Sequence, residues 1–246
     1  MEMKFDSKGK LLWPGRKEVL ATGDVVFACE HNDSDYSNVC TDDAHGTNLA
    51  AARSWCTNKS TDCRAYTNGD LSTYDFPCFE SIACRSWRFG IQIPKNRRVY
   101  GRPKTLHNAR VGGIAFLTSR LPTVGEDERY IFGFIHTKEV LDGPAPTIRG
   151  KEEGVWEVLV GKSSTSLYLD AAARIPFWDV YTGDGSPEQT PWGRGYFTYI
   201  EPDLTSVILA RLRDACVAIE DERAVSVIDG HLGSSGTRDG PGPASR

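Results

Sequence analysis

Between residues 85 and 200 the chain offers one strand candidate after another, with no regular alternation of strand and helix. Residues 87–93, 113–119 (GIAFLTS), 128–140 (ERYIFGFIHTKEV), 155–161 (VWEVLVG) and 195–200 (GYFTYI) are rich in β-branched and aromatic residues. The segment SLYLDAAARIPFWDVY adds a short strand and then a helix with Asp170 as N-cap. A doubly wound parallel sheet needs a helix between successive strands, and that spacing is missing here. The expected class is therefore α+β: a curved sheet or small pseudo-barrel of β-strands with flanking helices. Strict alternation along 128–140 puts Tyr130, Phe132, Phe134 and His136 on one face.

The flanks read differently. VVFAC at 25–29 suits a short buried strand. Residues 31–46 and 57–73 have loop composition, and 47–56 (TNLAAARSWC) suits a helix capped near Thr47 or Asn48. The strongest helix is 203–221, with Leu204, Val207, Ile208, Arg211, Leu212 and Ala215 tracing one face. The end, GSSGTRDGPGPASR, is dominated by Gly, Ser and Pro. The 246 residues divide into a loop-rich segment with a short helix (1–73) packed on a main domain (74–222), and an unordered tail (223–246).

The opening MEMKFDSKGKLLW lacks the apolar stretch of a signal peptide, and no apolar run is long enough to span a bilayer. A cytoplasmic protein with no membrane partner is expected. Six of the seven cysteines lie between Cys29 and Cys84, and Cys216 reads as a buried helix residue. An odd count without a secretion signal argues against a disulfide framework. The gaps Cys29-x10-Cys40, Cys56-x6-Cys63 and Cys78-x5-Cys84 include no CxxC pair. Buried thiols are the main reading; a zinc set drawn from these cysteines with His31 or His45 is the alternative.

No strong catalytic constellation emerges, and no cofactor is implied. GKSS at 161–164 resembles the end of a phosphate loop, but Trp156 stands where that loop needs glycine. GHLGSSG at 230–236 does not sit between a strand and a helix as a nucleophile elbow must. The five histidines, His31, His45, His107, His136 and His231, form no HExxH motif. Scattered acids such as Glu126, Asp127, Glu128 and Glu157 leave one enzymatic alternative, a metal site assembled by the fold.

One window is unusual in its charge. Residues 81–125 hold nine cations and no Asp or Glu, although the chain's net charge is −4 and its acid density predicts about six acids there. The cations are Arg85, Arg88, Lys95, Arg97, Arg98, Arg102, Lys104, Arg110 and Arg120. Phosphate explains such a run, because a nearby carboxylate would weaken the field that phosphate meets. Seven of the nine are arginine, whose planar fork suits phosphate and guanine edges. Phe76, Trp87 and Phe89 lie in or beside the window, and Trp178 and Trp192 follow. Aromatic faces can stack on an extruded base, or they can simply fill a core.

Four segments carry a family likeness: FPCFESIACRSWRFG, VGGIAFLTSRLPTVGEDERYIFGFIHTKEV, IPFWDVY and WGRGYFTYI, all within 76–200. They resemble bacterial domains that sometimes accompany nuclease modules. Their strand pattern resembles the PUA-like superfamily, whose EVE, SRA and YTH members hold a flipped modified base in an aromatic pocket. The nearest cue is GGIAFLTS followed, after a turn, by a strand ending FGFIHTKEV, as in EVE-type domains. The resemblance implies a pseudo-barrel and binding to modified double-stranded DNA, with 5-methylcytosine favoured. No nuclease module is visible, so cleavage is not implied. The sequence reading is thus a non-enzymatic reader of modified DNA. Its nine window cations would hold phosphates, and Phe76, Trp87, Phe89, Trp178 and Trp192 would supply the pocket. A modification-dependent nuclease, an RNA-modification binder and a protein-interaction module stay open beside it.

Overall fold

The computed structural model describes residues 24–33, 40–51, 56, 86–92, 106, 109–142, 155–181 and 197–234, and a two-stranded ribbon formed by β1 (Lys4–Phe5) and β2 (Leu11–Leu12). The remaining elements are β3 (Val25–Ala28), α1 (Asp42–Ala50), β4 (Arg88–Gln92), β5 (Ile114–Ser119), β6 (Tyr130–Asp142), β7 (Val155–Gly161), β8 (Leu167–Tyr168), β9 (Ile175–Pro176), β10 (Phe197–Tyr199), α2 (Pro202–Ala218) and α3 (Glu222–Ser234).

Eight strands form one mixed sheet in the order β10-β3-β5-β6-β7-β4, with β8 and β9 also on β6. Among the described strands only β3 and β5 run parallel; every other pair is antiparallel. The fold is α+β, as the strand spacing predicts. Of the expected curved sheet or pseudo-barrel, the closed form is corrected: among the described strands the path ends at β10 and β4 without joining them, so the sheet is open. The division at residue 73 cuts through this sheet, since β3 lies between β10 and β5.

Alternating side chains feed two cores. Val26, Ile114, Phe116, Ile131 and Phe134 face α2 and α3, where Ile208, Leu209, Leu212, Cys216, Ala224 and Ile228 complete a buried cluster. Val25, Phe27, Ala115, Leu117, Ile135 and Leu159 face the other way, together with Phe89 and Leu106. On that second face the rings of Phe27 (β3) and Phe89 (β4) lie 6.2 Å apart. Four strand steps separate β3 from β4, about 19 Å in a flat sheet. The sheet therefore curls toward its second face, which is concave.

One bulge changes what strand periodicity predicts. The β5–β6 register shifts between Leu117, opposite Gly133, and Thr118, opposite Ile131. An extra residue in one strand reverses the facing of everything beyond it. Tyr130 and Phe132 thus pack on the concave core while Phe134 packs on the helix side. His136 follows Phe134, its ring 4.8 Å from that of His231 in α3. The expected single face of Tyr130, Phe132, Phe134 and His136 is split for this reason.

The helices also depart from the sequence reading. The first helix begins at Asp42, not near Thr47, because Thr41 caps it: its hydroxyl accepts from Ala44 N at 3.3 Å. Asp33 in turn accepts from Thr41 N at 2.8 Å and from the Thr41 hydroxyl. Burial pushes the Asp33 carboxyl upward, but these bonds outweigh it and its pKa falls below the usual value. After Asp170 only a single 3-10 turn forms (Ala171–Ala173), although Asp170 does cap it through Ala172 N at 2.8 Å. In α2 the buried face is Thr205, Ile208, Leu209, Leu212 and Cys216, while Val207 is half exposed and Arg211 exposed. The expected unordered tail contains α3, whose Ala224, Ile228 and His231 are buried at helical spacing. Glu220, at φ 60°, turns the chain between the two helices, and the Asp221 side chain accepts from Ala224 N at 2.9 Å.

A fully buried carboxylate joins the layers. Asp24 accepts from Ile114 N at 2.7 Å and from the Thr205 hydroxyl at 2.8 Å, tying the start of β3 to β5 and to the first turns of α2.

Candidate nucleic-acid interface

One row of backbone hydrogen bonds crosses four strands and collects the candidate site. Gly112 N donates to Thr137 O at 2.8 Å, and Thr137 N to Gly113 O at 2.9 Å. Thr137 is paired with Gly161, whose N–H donates to Trp87 O at 2.7 Å. The row spans about 14 Å from the start of β5 to the start of β4. Arg110, Lys138, Lys162 and Arg88 lie on or within two or three residues of it, and all four are exposed. Glu139 is the exposed acid beside them. The cationic window thus contributes Arg88 and Arg110, and β6 and β7 add Lys138 and Lys162, which lie outside that window.

Trp87 is the aromatic member of this row. Its φ of 54° is left-handed, a conformation costing a non-glycine residue on the order of 1 kcal/mol. The bond from Gly161 helps hold it there. Gly161 itself must lack a side chain, since a Cβ would lie 2.5 Å from Ile135 Cγ2 and 3.3 Å from Trp87 Cβ. The half-buried indole stacks on Tyr168 with centroids 4.4 Å apart and planes at 13°. Phe132 lies nearly parallel behind Tyr168, at 6.5 Å and 14°. Three rings therefore form a ladder from the core at Phe132 (1% exposed) to the rim of the concave face at Trp87. Gly133 admits this ladder, because a Cβ there would come within 2.5 Å of Leu167 O and 3.0 Å of the Tyr168 ring.

Of the other candidate residues, Phe89, Trp178 and Arg120 are described, and they are used elsewhere in the fold. Phe89 is 4% exposed in the concave core, so its ring is packing, not a binding face. Trp178 packs against the helix-side core, on the opposite face of the sheet from Trp87. Its indole N–H donates to Glu126 O, and its ring meets Phe177 edge-on at 4.9 Å. Arg120 pairs with Glu126 at 3.0 Å and donates to Val124 O, so it braces the β5–β6 turn. Phe76, Arg85, Lys95, Arg97, Arg98, Arg102, Lys104 and Trp192 lie outside the described residues.

Three polar arrangements are structural. Glu126 forms a double ion pair with the buried Arg129, one contact at 3.0 Å, besides its pair with Arg120. Such a neutralised carboxylate is poorly suited to the metal site expected of the acids at 126–128. His231 Nε2 donates to Thr165 O at 2.8 Å, and His136 Nδ1 lies 2.7 Å from the Thr165 hydroxyl. These contacts pin α3 to the 3-10 turn Ser163–Thr165. Cys29, Cys40, Cys56 and Cys216 form no disulfide, and among the described residues no three His, Cys, Asp or Glu gather as a metal cluster. The cysteines at 63, 78 and 84 lie outside those residues. Also among the described residues, no helix is long and apolar enough to cross a membrane.

No family model, curated protein or solved structure matches the chain. Tyr168, Lys138 and Lys162 are the members that sequence reasoning missed. They stand far from the basic window in sequence, and strand register brings them to it.

Proposed function

We propose that the protein binds modified double-stranded DNA, 5-methylcytosine foremost, as a reader and not an enzyme. Arg88, Arg110, Lys138 and Lys162 face the phosphates, and the mouth of the concave face at Trp87 receives an extruded base. The observation that carries this reading is the partly buried Trp87 indole, stacked on Tyr168 at one end of a backbone row that also carries the exposed Arg88, Arg110, Lys138 and Lys162. Extruding a base costs a few kcal/mol. Stacking on an aromatic face returns roughly 1–3 kcal/mol, and phosphate contacts add sequence-independent affinity. The same proposal carries the likeness to the PUA-like superfamily, whose members hold a flipped base in an aromatic pocket. A cytoplasmic setting belongs to the same reading.

The test is a gel-shift titration with matched duplexes, one carrying 5-methylcytosine and one unmodified. The expected result is binding about tenfold tighter to the modified duplex. Equal and feeble binding to both would sink the proposal.

A further inference from the structure

The indole of Trp87 is not positioned by its own backbone alone. Its inner face lies flat on Tyr168, and Tyr168 is itself backed by Phe132. Among the described residues Tyr168 is the one ring that stacks on Trp87. Tyr168 belongs to β8, whose pairing with β6 places it opposite Gly133, in a different part of the chain from the strained turn at Trp87. Two distant segments thus converge to hold one indole nearly parallel to the rings beneath it. A side chain serving only as core filler has no need of that combination. A surface that must meet a planar ligand in one orientation does, because the ordering cost is met before the ligand arrives.

We propose that Tyr168 is the positioning residue of a one-sided stacking platform: it holds the Trp87 indole flat so that the outer face of that indole accepts a planar nucleobase. The inference rests on the reading of Trp87 given above. It adds that a single face takes the base, and that recognition depends on a residue which does not itself touch DNA.

The experiment uses the full chain and the same pair of duplexes, and compares the modified-to-unmodified affinity ratio of Trp87→Ala, Tyr168→Leu and Tyr168→Phe. Trp87→Ala should abolish the ratio. Tyr168→Leu should lower it about fivefold. Tyr168→Phe keeps the ring and should keep the ratio, since stacking and not the hydroxyl is the contact used. If Tyr168→Leu melts below the assay temperature, Tyr168→Met, which keeps apolar bulk without a ring, takes its place with the same expectation. An unchanged ratio in the ringless variant, with the ratio lost in Trp87→Ala, overturns the role of Tyr168 and leaves the reading of Trp87 standing. An unchanged ratio in Trp87→Ala overturns that reading itself. Loss of the ratio in Tyr168→Phe as well would move recognition to the hydroxyl and overturn the platform.

Discussion

Phe27 and Phe89 sit on strands four steps apart, yet their rings approach to 6.2 Å. That contact closes the concave core and makes Phe89 a residue of stability. Phe89→Ala should cost about 3–5 kcal/mol, the usual range for deleting a buried ring. Denaturant titration measures it, and a loss under about 1 kcal/mol would mean that the curl does not depend on this ring.

Asp24 makes a second long-range tie. Asp24→Ala would strand the N–H of Ile114 and the hydroxyl of Thr205 in a buried site. A destabilisation of about 3 kcal/mol is expected, read from the urea midpoint, because each buried donor left unsatisfied costs about 1–3 kcal/mol. Thr205→Val removes a single donor and should cost less.

Glu126 neutralises Arg129, which is 5% exposed. Glu126→Ala leaves that guanidinium buried beside an empty position, and a loss of about 3 kcal/mol should follow in thermal or chemical unfolding. A stability equal to the parent's would show that the pair is screened by solvent and that Glu126 is available for another role.

Burial, with a smaller effect from Asp221, pushes the Cys216 thiol up to about 11 from its ordinary 9.0. The folded state then holds the proton more tightly than the unfolded state does. Stability contributed by this thiol is complete below pH 9 and falls as pH rises toward 11. The urea midpoint of the parent should decline more steeply across that window than that of Cys216→Ala. Parallel curves would contradict the shift.

Arg88 and Arg110 flank the row at the candidate interface. The double variant Arg88→Ala, Arg110→Ala should weaken binding to modified and unmodified duplexes alike, and reduce the slope of log affinity against log salt by about two. A selective loss for the modified duplex would instead make one of these arginines a base reader.

Local chemistry was legible in the sequence wherever a single segment decides the outcome. The strands at 114–119 and 155–161, the long α2 and the Asp170 cap all lie where periodicity and capping residues put them. The cationic window was equally visible, since charge is counted along the chain. Facing was not. The bulge opposite Leu117 reverses the outer half of β6, and nothing local in YIFGFIH marks where the extra residue falls. Nor could composition separate Trp87 at the rim from Phe89 in the core, two residues apart in the chain. Their difference comes from the left-handed turn at Trp87, the pairing of Gly161 beside it and the ring of Tyr168, which is about eighty residues away. The sequence by itself determined the strands at 114–119 and 155–161 and the helix α2, because propensity and hydrophobic period act over a few residues. The tertiary structure alone decided which side chains meet, because curl, bulge and register depend on pairing between segments far apart in the chain.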